Sequence, residues 1–459
     1  MASGGLSIAQ VTPFAWESDH EVNRSVKRVS DALSERGHRV LIMAPSQSRG
    51  LTRDSRRAIR DPDSLLERAD RGPVLLGVGE VLSLAAGRRR APSLPVDVSR
   101  TIEAVLTDLP LDVVHVHEPF APSAASVALR HSRALNVGSF HQPTERILSL
   151  QLTRPLSRHL FGRLDARVAS YRATRELMQT YFPGDYDVIR PGAEIVEHRP
   201  SSRVRLLACA GEDRAAMRLF LRALRGLPPE LEWEAAVWSR EPWRLPTTAG
   251  RALRERVTVL DGQSVSQAEA LAGADVLVLA SEGTRPSPET LVGGLAAGVM
   301  TIASRLPIYD ELLEDADWGL EFGAGDVQTL TAHLTHVIAD PAARGAGSTR
   351  ARELRAEFSW ARAADQLEQV YGRLVARRRA PGGGGLRTRL AKRALIDVDL
   401  HMHTDHSFDC ATPVEVLLAE ARARGLGAIA VTDHNEISGA HEARAKAEGI
   451  KVIVAEEIK

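Results

Sequence analysis

The sequence predicts an α/β protein: two doubly wound lobes built on parallel sheets, then a Gly-rich linker and a short β/α segment. Three observations carry that prediction. Short apolar runs alternate with helical periodicity through the first four fifths of the chain; the same rhythm restarts near residue 203; and RRRAPGGGGLRTRLAKR at 377–393 separates a last set of strand and helix patterns from the rest. The 459 residues exceed a single domain of ~100–200, so two or three domains are expected.

The strands are read from apolar runs at Leu6–Val11, Arg39–Ala44, Asp112–His117, Val137–Phe140 and Arg167–Ala169 in the first lobe. In the second they fall at Val204–Cys209, Trp233–Val237, Val257–Leu260, Asp275–Ala280 and Val299–Ala303. Runs apolar throughout suit parallel strands covered on both faces. Val22, Val26, Val29 and Leu33 form one helical stripe, with Ser18 and Glu21 as a capping box and Gly37 as the stop. Residues 46–72 are polar with few large apolar side chains and are expected to form a long surface loop. Ala364, Leu367, Tyr371 and Leu374 share a face of a closing amphipathic helix. Four consecutive glycines at 382–385 are too costly in backbone entropy to hold a packed element, so 377–393 is expected to be a flexible tether.

Composition narrows the function. Lys plus Arg and Asp plus Glu are both 59, a balance that argues against general nucleic-acid binding, which needs a basic excess. With 44% hydrophobic residues the chain can bury cores. The two cysteines, Cys209 and Cys410, supply no disulfide framework and suit a reducing compartment. The start MASGGLSIAQVTPF lacks a signal-peptide pattern, and no apolar run approaches the ~20 residues of a membrane span. A cytoplasmic protein is expected, with room for peripheral membrane contact through the basic stretch.

The motifs Ile8–Pro13, LSERGHRVLIMAP at 33–45, DVVHVHEPFAP at 112–122, Gly138–His141 and YFPGDYDVIRPG at 181–192 resemble family 4 retaining glycosyltransferases, especially the phosphatidylinositol mannosyltransferase branch. The resemblance covers about four fifths of the chain. It implies two Rossmann-like GT-B lobes, residues 1–190 and 191–376, and a nucleotide-sugar held mainly by the second. It also implies positions at which this chain departs from the family. His20 and Glu21 stand at the first-loop glycine pair, Cys209 and Ala215 at the Arg and Lys clamp, and Arg285 and Gly293 at the paired glutamates; Glu282 and Glu289 lie nearby in another register. His141 matches the histidine that contacts the sugar, against a reading as a packed loop histidine. Arg190, Arg214 and Arg285 are candidates for an anion site of another design, against a reading as solvated surface. His115 and His117 alternate on a strand, either a metal pair or two buried, satisfied histidines. No cofactor is required in this half.

The last 66 residues read differently. A strand at Ile396–Leu400 is followed by His401 and His403, whose H-x-H spacing puts both imidazoles on one face. His406 and Asp409 lie one loop on, and Thr412, Pro413 and Glu415 mark a helix start with proline at the first helical position. The strand Ala428–Val431 delivers Asp433 and His434, and Lys451–Val454 delivers Glu456 and Glu457. Strand ends presenting His, Asp and Glu in order are how a β/α barrel builds a site. These residues resemble the polymerase-and-histidinol-phosphatase (PHP) superfamily of metal-dependent phosphoesterases. The resemblance implies metal ligands at His401, His403, His406 or Asp409, Asp433, His434 and Glu457, with Mn, Fe or Zn suited to such N/O donors. It also implies an incomplete barrel in 394–459, because three strands are fewer than the family's, and a truncated product is expected over completion by a partner.

Three functions follow as expectations. One is a transferase-like module fused to a PHP-type phosphoesterase acting on a small-molecule phosphoester. The second is a retaining glycosyltransferase that uses a nucleotide-sugar donor. The third is a non-catalytic GT-B protein that senses a ligand.

Overall fold

The computed structural model describes residues 5–18, 20–80, 95–121, 123–141, 160–199, 201–313, 318–379 and 396–458. It divides into two compact units, Met1–Ala376 and Arg377–Lys459. Most of the expected tether, 380–393, lies outside the described residues.

The first unit holds two parallel sheets. The first has strand order β3-β2-β1-β4-β5-β6-β7, from β1 (Ser7–Val11), β2 (Arg39–Ser46), β3 (Val74–Glu80), β4 (Val113–His117), β5 (Leu135–Phe140), β6 (Ala166–Ala169) and β7 (Asp187–Val188). The second has order β10-β9-β8-β11-β12-β13, from β8 (Val204–Cys209), β9 (Trp233–Ser239), β10 (Val257–Asp261), β11 (Val276–Leu279), β12 (Met300–Ser304) and β13 (Gly319–Phe322). Both reverse direction beside their first strand, the switch point outside which ligands bind in doubly wound folds. The ten expected strands are all present; β3, β7 and β13 are additional.

Helix α1 (Glu21–Glu35) buries Val22, Val26, Val29 and Leu33, and Gly37 follows it at φ 83°, a conformation that costs glycine least. Its cap differs from the expected one. His20 is the N-cap, its Nδ1 accepting from the Val22 N–H at 3.2 Å, whereas Ser18 Oγ donates to the Ala15 carbonyl.

The expected loop at 46–72 is a correction: it contains α2 (Arg49–Ala58) and α3 (Pro62–Ala69), capped by Ser48 and Asp61. Helix α2 buries the hydroxylic Thr52 and Ser55, and the short α3 buries Leu65 and Ala69, too few apolar positions to mark a stripe in the sequence. Ser55 Oγ donates to the Leu51 carbonyl and accepts the Gly77 N–H of β3 at 2.9 Å, fastening α2 to the sheet edge.

Further helices cover both sheets: α4 (Pro95–Asp108), α5 (Ala124–His131), α6 (Arg172–Tyr181), α7 (Arg214–Arg225), α8 (Arg251–Arg256), α9 (Gln267–Ala272), α10 (Pro288–Ala296), α11 (Pro307–Leu313), α12 (Val327–Ala339) and α13 (Pro341–Leu354). The closing helix α14 (Trp360–Arg379) returns to the first lobe. Ala364, Leu367, Val370, Tyr371 and Leu374 join Ile8, Val113 and Val137 in one core, so burial ties the end of the unit to its beginning.

The second unit is a three-stranded parallel sheet, order β14-β15-β16, of β14 (Asp397–Met402), β15 (Leu426–Val431) and β16 (Lys451–Val454), with α15 (Val414–Ala423) and α16 (Ser438–Lys446) as crossovers. Leu417, Leu418 and Ala421 pack with Ile429, Val431 and Val452. Pro413 is the N-cap of α15 rather than its first helical residue. Strand β14 runs two residues further than expected, so His401 lies on the strand and His403 just beyond it. No helix among the described residues is long and apolar enough to cross a membrane.

Candidate functional site

Parallel pairing brings the ends of β14, β15 and β16 to one edge of the second unit's sheet. The Asn435 N–H donates to the Glu457 carbonyl at 2.9 Å, and the Glu457 N–H to the Asp433 carbonyl at 3.2 Å. Asn435 takes a φ of 51°, a left-handed turn that asparagine tolerates. These bonds hold His434 and Glu457 side by side.

Five predicted residues converge there. His401 Nε2 lies 3.0 Å from His403 Nε2 and 3.0 Å from Glu457 Oε2. His403 Nε2 is 3.3 Å from Glu457 Oε2, and its Nδ1 is 3.1 Å from Asp409 Oδ1. His434 Nε2 is 3.0 Å from Asp409 Oδ2. The donors form two groups that share His403: His401, His403 and Glu457, and His403, Asp409 and His434, with the ligand atoms of each within 4.8 Å of one another. His434 Nδ1 is buried without a hydrogen-bond partner, 3.6 Å from Glu457 Oε2. Converging imidazoles and carboxylates with an orphaned buried nitrogen fit a divalent cation with N/O preference.

Two candidates point elsewhere. His406 spends Nδ1 on Ser438 Oγ at 2.7 Å and Nε2 on Glu442 Oε2 at 3.0 Å. Asp433 is fully buried; its Oδ1 accepts the Thr404 N–H at 2.6 Å and its Oδ2 the Thr404 hydroxyl at 2.7 Å. A Cβ at Gly439 would lie 2.1 Å from that Oδ2, so α16 needs glycine there to approach. Asp433 thus anchors the loop that carries His403. Asp433→Ala should leave the Thr404 N–H buried and unpaired, costing about 1–3 kcal/mol, with metal content retained. Chemical denaturation beside elemental analysis checks both, and loss of metal without loss of stability would restore Asp433 as a ligand.

Ser407 was not legible as a site residue. Its hydroxyl donates to Asp409 Oδ1 at 2.6 Å, accepts the His434 N–H at 3.2 Å and lies 3.3 Å from His403 Nδ1. The Ser407 bond, then His403 and His434, hold the Asp409 carboxyl well below the usual carboxylate range. Phe408, 75% exposed, stacks on His434 with ring centroids 5.1 Å apart.

In the first unit, His141 follows β5 as the end of a hydrogen-bonded chain. Its Nδ1 meets Ser170 Oγ at 2.9 Å and its Nε2 meets His117 Nδ1 at 2.7 Å. His117 Nε2 then meets Gln10 Oε1 at 2.8 Å, and Gln10 Nε2 donates to Tyr371 Oη at 3.2 Å. Tyr371 Oη lies 2.5 Å from His115 Nδ1, and His115 Nε2 lies 2.7 Å from Ser139 Oγ. With Gln10 Oε1 accepting, His117 carries its proton on Nε2 and His141 donates from Nε2. Both nitrogens of His115 and of His117 are therefore engaged, as buried, satisfied histidines require. Burial pushes His115 down to about 3 and His141 to about 4, and holds His117 well below the usual imidazole value.

The three arginines are dispersed in role. Arg190 pairs with Glu311, Nε to Oε1 at 3.7 Å, while Arg214 opens α7 and Arg285 follows β11, both exposed. At the clamp position, Cys209 is buried, and burial pushes its thiol up to about 12. Burial, then the Glu21 carboxylate, holds the Glu289 carboxyl above the carboxylate range, so acidic groups from α1 and α10 interact.

The first unit has the two-lobed parallel fold of GT-B glycosyltransferases, and each unit contains a match to a known domain family. Residues 22–196 match the model for Glycosyltransferase Family 4, and 399–459 that for the PHP domain. Among curated relatives, the phosphatidyl-myo-inositol mannosyltransferase of Mycolicibacterium smegmatis is 24% identical over 379 residues, 80% of this chain and 93% of that protein. That of Mycobacterium leprae is 24% identical over 380 residues, 80% and 96%. Among solved structures, a glycosyltransferase from Rickettsia africae matches with a TM-score of 0.60 at 14% identity, over 81% of this chain and 99% of its own. HepE of Anabaena, solved in complex with UDP and glucose, matches with 0.58 at 14% identity, over 80% and 99%.

Proposed function

We propose that the second unit is a metal-dependent phosphoesterase of small-molecule substrates, carried on a transferase-like platform whose donor site is degenerate. The observation that carries the phosphoesterase reading is the pair of three-donor groups sharing His403, with His434 Nδ1 buried and unbonded. His401, His403 and Glu457, or His403, Asp409 and His434, would hold a Mn, Zn or Fe ion, since a neutral His403 imidazole has one lone pair to give. An ion so held would lower the pKa of a bound water and neutralise phosphoryl charge. The chain's own contribution is position: Ser407 aims Asp409, and the Asp433–Thr404 bonds fix the turn that presents His403. The test is hydrolysis of a phosphomonoester and phosphodiester panel by the full chain after metal loading. Hydrolysis that tracks bound metal supports the reading, and a metal-loaded protein inert to the whole panel overturns it.

Transfer from a nucleotide-sugar is the second reading, favoured by the similarity to mannosyltransferases over 80% of the chain. Against it stand Cys209 and Ala215 in place of a cationic clamp. Each charge-assisted hydrogen bond lost is worth ~1.5–3 kcal/mol, so two together weaken donor binding more than about a hundredfold. Calorimetry with GDP and UDP on the full chain should accordingly show no micromolar binding, and a micromolar Kd for either would make transfer the better reading.

A further inference from the structure

The crevice outside the carboxyl ends of β8 and β11 is the switch point of the second lobe, where doubly wound sheets receive phosphate-bearing ligands on backbone N–H groups. In this chain, backbone N–H groups at that switch point are paired with the protein's own carboxylates. Glu212, three residues beyond β8 and 4% exposed, accepts the Ala280 N–H on Oε2 at 2.9 Å and the Tyr309 hydroxyl on Oε1 at 2.6 Å. Tyr309 is itself aimed, because its oxygen accepts the Ser287 N–H at 2.7 Å. The adjacent Asp213 accepts the Ala216 N–H on Oδ1 at 2.8 Å, and the Ser281 hydroxyl and Glu282 N–H on Oδ2 at 2.6 and 3.1 Å.

Asp213 alone would be an ordinary helix cap for α7. Glu212 is not explained that way: burying a carboxyl costs free energy unless it is hydrogen-bonded, and here the bonds come from two different elements, the residue after β11 and the α11 tyrosine. We propose that Glu212, with Asp213, is a built-in anion that fills the phosphate-binding crevice of the second lobe and closes it to phosphate-bearing ligands. The proposal deepens the reading of this lobe as a degenerate donor site by naming what occupies it, and it is independent of the metal centre.

The test uses the full chain at pH 8 with inorganic phosphate and acetate as probes. Glu212→Ala should melt below wild type in chloride buffer and recover with acetate, which restores a carboxylate to the vacated donors, while wild type should not respond. Glu212→Gln, which keeps the shape and removes the charge that repels an incoming anion, should bind phosphate at least about tenfold more tightly than wild type, the fold-change of one like-charge repulsion relieved. If the alanine variant fails to fold, the glutamine variant decides. Phosphate binding unchanged in Glu212→Gln overturns the proposal and leaves the degenerate-site reading standing. Wild-type turnover of a nucleotide-sugar would overturn both.

Discussion

Replacing His401 and His403 together with alanine should strip the protein of tightly bound metal and abolish any phosphoester hydrolysis. The geometry also sets an order among single variants. His403 contributes to both three-donor groups, through Nε2 beside Glu457 and Nδ1 beside Asp409, whereas His401 contributes to one. His403→Ala should therefore lower metal content more than His401→Ala, because it leaves each group with one nitrogen and one oxygen donor, too few to hold an ion tightly. Ser407→Ala removes no ligand but frees the Asp409 carboxylate and the His434 backbone N–H from their common partner. Its metal affinity should fall about 10–100-fold, the usual cost of losing a bond that orients a ligand. Elemental analysis of Mn and Zn after gel filtration gives the reading. Equal metal content in wild type and the double variant would end the metal proposal.

Much of this architecture was legible because parallel strands buried on both faces leave uninterrupted apolar runs, as in VLVL at Val276–Leu279. Elements that bury hydroxyls and glycines left no such trace. Helix α2 turns Thr52 and Ser55 inward, and β3 carries Gly79, where a Cβ would lie 2.3 Å from a Val98 methyl. The metal cluster was legible in outline, since H-x-H, D-H and a strand-end glutamate appear in chain order. Spacing could not say which carboxylates face inward: Asp409 turns to the histidines while Asp433 turns to Thr404, a choice made by contacts across the fold. His406 was hidden in the same way, because its partners Ser438 and Glu442 come from α16, more than thirty residues on. Glu212 did carry a signal, a pair of acids in the loop after the first strand of the second lobe.

Mild acid should unfold the first unit, and the chain from Ser139 to Ser170 is the reason. His115, His117 and His141 are neutral in the folded protein because burial holds their pKa values down, to about 3 for His115 and about 4 for His141. In the unfolded chain each titrates near 6.5. Below that value the unfolded state binds protons that the folded state refuses, so stability falls as pH drops. The contribution is fully present above about pH 6.5 and is lost progressively as the pH falls towards the folded values. At ~1.4 kcal/mol per pKa unit, the two units between pH 6.5 and 4.5 amount to roughly 3 kcal/mol for one such histidine, a large part of the ~5–15 kcal/mol of a typical domain. Protonation also breaks the chain itself, since an imidazolium at His117 cannot accept from His141 while donating to Gln10. Glutamine at position 115 keeps a donor and an acceptor but cannot titrate. Denaturant melts between pH 7.5 and 4.5 should therefore show a steeper loss of stability in wild type than in His115→Gln, and His117→Gln should behave alike. Parallel pH slopes in wild type and both variants would show that the buried histidines do not govern the acid limit of this fold.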